Sequence, residues 1–174
     1  VLDMAGAGDI PVAVGAHRPL MGEPLYAEHV HGSDGLGNLS RKSSTRKMDS
    51  RDAVTLLRDL IKSNPDAILV PVGPLTNIAL FIRTYPETAR KVKRMVIMGG
   101  SASQGNATAT AEFNIWHDPE AAHIVFDSGI PITMYGLDVF YDLRVDSSVI
   151  SQLRARGSES GIFASQLIEF MLGH

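Results

Sequence analysis

A chain of 174 residues with 44% apolar and 20% charged residues has room for one domain with a real core, and its composition is that of an ordinary globular protein. The formal charge of −3 and the scatter of basic residues argue against a nucleic-acid surface. The densest basic cluster, Arg41, Lys42, Arg46 and Lys47, has no interleaved aromatics and reads as a solvated loop face. There is no cysteine, which excludes disulfides, thiolate metal sites and a cysteine nucleophile; a cytoplasmic location is expected. No apolar run is long enough to cross a membrane, and the first residues do not read as a secretory leader. The chain opens on Val1, and residues 1–5 read like the tail of a helix, so an earlier beginning is expected.

In chain order, residues 10–14 are a short, branched apolar run ended by Gly15 and predict a buried strand. Residues 16–49, rich in Gly, Ser, Pro and charge, give no convincing element, but they contain the pair His31-Gly32. A helix is predicted over 51–62, capped by Asp49 or Ser50, with Val54, Leu57 and Ile61 at helical spacing. Residues 67–72 predict a second buried strand, followed at once by Gly73-Pro74-Leu75-Thr76-Asn77 and a helix over 78–84. A short helix over 87–91 leads to a third strand over 94–98. Further on come a helix over 119–127, a fourth strand over 130–135 closed by Gly136-Leu137-Asp138, and helices over 147–154 and 160–172. Strands that are continuous apolar runs and alternate with helices predict an open, mostly parallel α/β sheet with helices on both faces, a Rossmann-like core in a single domain over 1–174. Ligands of such sheets bind beyond the carboxyl ends of the strands.

The most informative stretch lies at one such end. After Met98, Gly99-Gly100 breaks the strand and a long loop follows; Asp118-Pro119 then caps and opens the next helix. Loops of this length inside a compact domain are usually functional or disordered, and Phe113, Ile115 and Trp116 argue against disorder here. Read as extended chain, Glu112 and Asn114 point the same way, and with Asn106 they suit the hydroxyls of a sugar; bonds to loop backbone are the alternative use. Asp138, at another strand end, reads as a base, a ligand or a loop-bonding carboxylate. No dinucleotide or phosphate-loop fingerprint is present, no nucleophile elbow surrounds the serines, and His31, His117 and His123 lack metal-ligand spacing.

The run from Met98 to Ala122, together with Gly73-Pro74-Leu75-Thr76-Asn77, His31-Gly32, Gly136-Leu137-Asp138-Val139 and the opening Ala5 to Gly15, resembles the nucleoside hydrolases, the inosine-uridine-preferring ribohydrolases. The resemblance spans essentially the whole chain. It implies hydrolysis of the N-glycosidic bond of ribonucleosides to ribose and free base, with calcium as cofactor. It implies that Asn106, Glu112 and Asn114 hold ribose hydroxyls, that Met98 packs beneath the sugar, that His31 lies near sugar or base, and that the Thr76 main-chain carbonyl is a calcium ligand. It also implies a small-molecule ribonucleoside as partner and a homodimer or homotetramer. The family's opening aspartate cluster, which supplies most calcium ligands and the general base, has no counterpart here. Neither has its late His-Asp pair: His174 has no Asp after it. The chain therefore reads as an internal piece, with the catalytic base expected upstream of Val1. A ribose-binding α/β domain without hydrolysis, or an inactive remnant, is the alternative.

Overall fold

The computed structural model describes residues 1–39 and 44–173; Arg41, Lys42 and His174 fall outside the described residues. In chain order the elements are α1 (Glu28–His31), α2 (Ala53–Ser63), α3 (Thr76–Thr84), α4 (Pro86–Ala89), β1 (Met95–Met98), α5 (Phe113–His117), α6 (Pro119–Phe126), β2 (Ile132–Tyr135), α7 (Leu137–Asp142), α8 (Ser147–Ala155) and α9 (Glu159–Leu172). They fall into two compact units. One comprises Val1–Pro11, Leu25–Lys47 and Arg144–His174; the other comprises Val12–Pro24 and Met48–Leu143.

The second unit has the expected open α/β arrangement around a parallel sheet. β1 and β2 pair in parallel, with Met95 opposite Ile132 and Met98 opposite Tyr135. Residues 67–72 run parallel to β1 on its other side. The Leu69 N–H donates to the Arg94 carbonyl at 3.3 Å, the Val96 N–H to Leu69 at 2.9 Å and the Met98 N–H to Pro71 at 2.9 Å. The strand predicted over 10–14 does not join this sheet. Its carbonyls go elsewhere: Val12 accepts from the Asp49 N–H and Val14 from the Ala53 N–H, so the stretch is bonded to the chain that leads into α2. Ile10 and Val14 are accordingly about half exposed, at 50% and 51%.

The core of this unit follows from the pleat. Met95 and Ile97, alternate residues of β1, are buried together with Leu69, and they pack with Ile61 of α2, Ile78 and Phe81 of α3 and Val125 of α6. Burying side chains of this kind stabilises by roughly 1.5–3 kcal/mol each. Val70 and Val72 of the extended segment stay 61% and 73% exposed. Helix starts are set locally. Asp52, rather than Asp49 or Ser50, caps α2 by accepting the Thr55 N–H at 2.9 Å, and Pro86 and Pro119 occupy first-turn positions of α4 and α6.

In the first unit, Asp146 caps α8 and Ser158 caps α9, and Arg154 of α8 pairs with Glu169 of α9. Arg46 is not a free basic group. Its guanidinium donates to Asp3 and to the carbonyls of Ala7, Gly8 and Ile10, which fixes the opening turn of the chain. No described helix is long and apolar enough to cross a membrane.

Candidate functional site

Since residues 67–72, β1 and β2 are parallel, their carboxyl ends share one edge. The segments that leave this edge are 73–76, 99–112 and 136–138. Of the polar residues singled out in the sequence, Thr76, Asn106, Glu112, Asn114 and Asp138 lie on these segments or on α5.

Glu112 and Asn114 do come together, but not as neighbours on an extended chain. Glu112 is the N-cap of α5 and Asn114 lies in its first turn, a helix that the sequence reading missed because five residues are too few to show a period. Glu112 is 2% exposed. Its Oε1 accepts the Asn114 N–H at 2.9 Å, and its Oε2 accepts the Gly100 N–H at 3.0 Å and the Ile115 N–H at 3.1 Å. The carboxylate thus ties the strand end at Gly100 to α5. Asn114 does the same one residue earlier, its Nδ2 donating to the Met98 carbonyl at 3.0 Å and facing the Met98 sulfur at 3.2 Å.

Asn106 is exposed, and its Oδ1 accepts the Phe113 N–H at 2.8 Å. The chain between Asn106 and Glu112 is knotted on itself. The Ala111 carbonyl accepts from the Asn106, Ala107 and Thr108 N–H groups at 3.1, 3.0 and 3.3 Å. Gly105 is required there, because a Cβ would lie 2.3 Å from both the Ala111 nitrogen and its carbonyl oxygen. Asp138 turns out to bond the loop. It accepts the Ala102 N–H at 2.7 Å and the hydroxyls of Ser103 and Ser101. The Ala102 N–H, and next the Ser103 hydroxyl, hold its carboxyl below the usual carboxylate range.

Thr76 is the first residue of α3 and is 6% exposed. Helix geometry directs its carbonyl along the axis toward the N–H of Leu80, which leaves one lone pair for anything else. Its hydroxyl donates to Asp118 Oδ2 at 2.5 Å. Asp118, a wholly buried carboxylate that the sequence reading took only as a helix cap, also accepts the Leu20 and Ala121 N–H groups at 2.9 and 3.0 Å. Asp-Pro at a helix start was the available signal; the long-range partners left none. His31 belongs to the other unit. It is the exposed last residue of α1, and its carbonyl accepts the Gly37 N–H at 2.8 Å, closing a loop in which Asp34 accepts the Leu36 and Asn38 N–H groups.

Among the described residues, no three His, Asp or Glu side chains gather to hold a metal ion. Three carboxylates at this edge, Glu112, Asp118 and Asp138, are each engaged by at least three N–H or O–H donors. Calcium takes about six to eight oxygens. The donor set described here does not make such a cage.

A family profile described as "Inosine-uridine preferring nucleoside hydrolase" matches residues 1–174. The chain is 40% identical over 173 residues to the pyrimidine-specific ribonucleoside hydrolase RihA of Citrobacter koseri, covering 99% of this chain and 55% of the relative. It is 43% identical over 173 residues to the inosine-uridine preferring nucleoside hydrolase of Leishmania major, covering 98% of this chain and 55% of that protein. The structure of a purine-preferring ribonucleoside hydrolase from Gardnerella vaginalis superposes with a TM-score of 0.91 at 32% identity, over 98% of this chain and 56% of that one. The chain belongs to the inosine-uridine preferring nucleoside hydrolase family. It spans about half the length of the curated relatives it matches.

Proposed function

We propose that the protein to which this chain belongs hydrolyses the N-glycosidic bond of ribonucleosides, and that this chain carries part of the wall that holds the ribose. The observation that supports the reading is the grouping of Met98, Asn106, Glu112 and Asn114 around one strand end, each polar side chain with part of its bonding capacity already committed. Asn106 has given its oxygen to Phe113, so its amide N–H groups remain to donate to a hydroxyl oxygen. Asn114 has given its N–H to Met98, so its oxygen remains to accept from a hydroxyl. Glu112 keeps one lone pair on Oε1 and a negative charge near the sugar. Side chains held by backbone bonds before a ligand arrives need no reorganisation as charge develops. That suits a transition state in which the ribose ring becomes cationic. Met98 would pack beneath the ring.

Calcium is proposed for the complete protein as the family cofactor, gathering the sugar hydroxyls and activating water. The described residues do not form its cage; the second lone pair of the Thr76 carbonyl is the contribution assigned to this chain. A homodimer or homotetramer and a cytoplasmic location belong to the same reading.

A second reading, a ribonucleoside-binding domain without hydrolysis, is favoured by the fact that the carboxylates at this edge are committed to loop donors. The test is ribose release from inosine and uridine by the complete gene product, with calcium and after its removal. Calcium-dependent release supports hydrolysis. Saturable nucleoside binding with no release of base supports the second reading.

A further inference from the structure

Resting on the nucleoside hydrolase reading, we propose that Asp118 is a positioning residue, the hub that fixes the turn at Thr76 and a strap over residues 16–20 at the carboxyl edge of the sheet. Three donors from three separate places converge on its wholly buried carboxylate: the Leu20 N–H from the strap, the Thr76 hydroxyl from the first turn of α3, and the Ala121 N–H from α6. A helix cap needs only the last of these. The other two span 98 and 42 residues of chain, and they join parts that no local rule brings together. The strap is held a second time at its other end. Asn77, next to Thr76, accepts the Ala16 N–H through Oδ1 at 2.8 Å. A Cβ on residue 15 would lie 2.6 Å from the Asn77 amide nitrogen, so a larger residue there would push this side chain aside. The pair Thr76-Asn77 therefore grips both ends of the strap, Asn77 directly and Thr76 through Asp118. Between the grips the strap presents exposed His17 and Arg18.

An ionised carboxylate is the one small side chain that accepts from all three donors at once. An amide at residue 118 turns an N–H group toward at least one of them and leaves a buried donor opposed. The consequence is geometric: without the hub the strap loosens and α3 loses the tie that sets its first turn, while the side chains that touch the sugar stay in place.

The experiment compares Asp118→Asn, Thr76→Val and Thr76→Ser in the complete protein. Hydrogen exchange is measured on peptides covering residues 16–20, with peptides from α2 and α8 as controls. A hydrogen bond to a charged group corresponds to roughly ten- to a hundredfold in an equilibrium constant. Exchange over 16–20 is therefore expected to speed by about tenfold or more in Asp118→Asn and Thr76→Val, with α2 and α8 unchanged, and to return to the wild-type rate in Thr76→Ser. With a nucleoside substrate, Thr76→Val is expected to lower kcat by about tenfold and leave KM within about twofold, because a positioning defect acts on geometry and not on binding groups. If Asp118→Asn does not fold, the Thr76 pair decides the matter alone. Wild-type exchange over 16–20 in Thr76→Val, or acceleration spread evenly over the controls, overturns the proposal. A wild-type protein that releases no ribose overturns the hydrolase reading and leaves the exchange result to judge the hub.

Discussion

The Asn114 side chain donates to the main-chain carbonyl of Met98 at 3.0 Å, which joins the last residue of β1 to the first turn of α5 across 16 residues of sequence. The strand end is thus held from outside the sheet.

Asn114→Ala is expected to destabilise the fold by about 1 kcal/mol, the usual net worth of such a bond. In a chain of this size that corresponds to a fall in Tm of roughly 2–4 °C. Differential scanning calorimetry checks this; an unchanged Tm would show that the bond contributes nothing to stability.

Glu112→Gln is expected to cost more, about 1.5–3 kcal/mol, because three backbone N–H groups lose a charged acceptor inside the protein. Urea denaturation would show the midpoint lowered with an unchanged slope. A midpoint equal to that of the wild type would mean that the carboxylate is retained for its ligand alone.

Asp138 supplies a pH dependence. Its folded-state pKa lies below the ordinary carboxylate value, first through the Ala102 N–H. The stability it contributes is therefore fully present above the unfolded pKa, near 3.9, and is lost as pH falls through the lower folded value. The gap in Tm between the wild type and Asp138→Asn is expected to stay constant above about pH 5 and to narrow below about pH 4. A gap that widens on acidification would reverse the sign and refute the assignment.

The 174-residue chain by itself is expected to show no calcium-dependent ribose release from inosine or uridine, since the donor set described here forms no calcium cage. Sustained calcium-dependent turnover by the purified chain would show that other groups serve.

Much of this was legible in the sequence. β1 and β2 and the extended segment at Leu69 lie where continuous apolar runs placed them, but the expected burial on both sides of the pleat holds for few of their residues: Leu69, Met95 and Ile97 are buried, while Val70, Val72 and Met134 are exposed. The run at 10–14 misled: composition marks a segment that can enter a sheet, while Asp49 and Ala53 decided where its carbonyls went. Met98, Asn106, Glu112 and Asn114 were singled out in the sequence, but the reason for their lying near one another in the structure was not legible there. It lies in a single turn of helix that starts at Glu112, and a lone turn leaves no periodic trace. Asp118 was hidden more deeply, since Leu20 and Thr76 carry no mark of a partner so far along the chain.

The knot at Ala111 has a further consequence for binding. A loop whose own carbonyl already collects three N–H groups has given up its conformational freedom during folding. On the proposed reading, a sugar that met Asn106 would not have to freeze the loop. Ordering a flexible segment on binding would cost about 1–2 kcal/mol for each residue fixed. Here that entropy is lost once, when the protein folds, and on the proposed reading each later molecule of ligand would meet a surface already in shape. Affinity at such a rim would thereby be linked to the smallness of Gly105, a residue that need not touch the ligand at all.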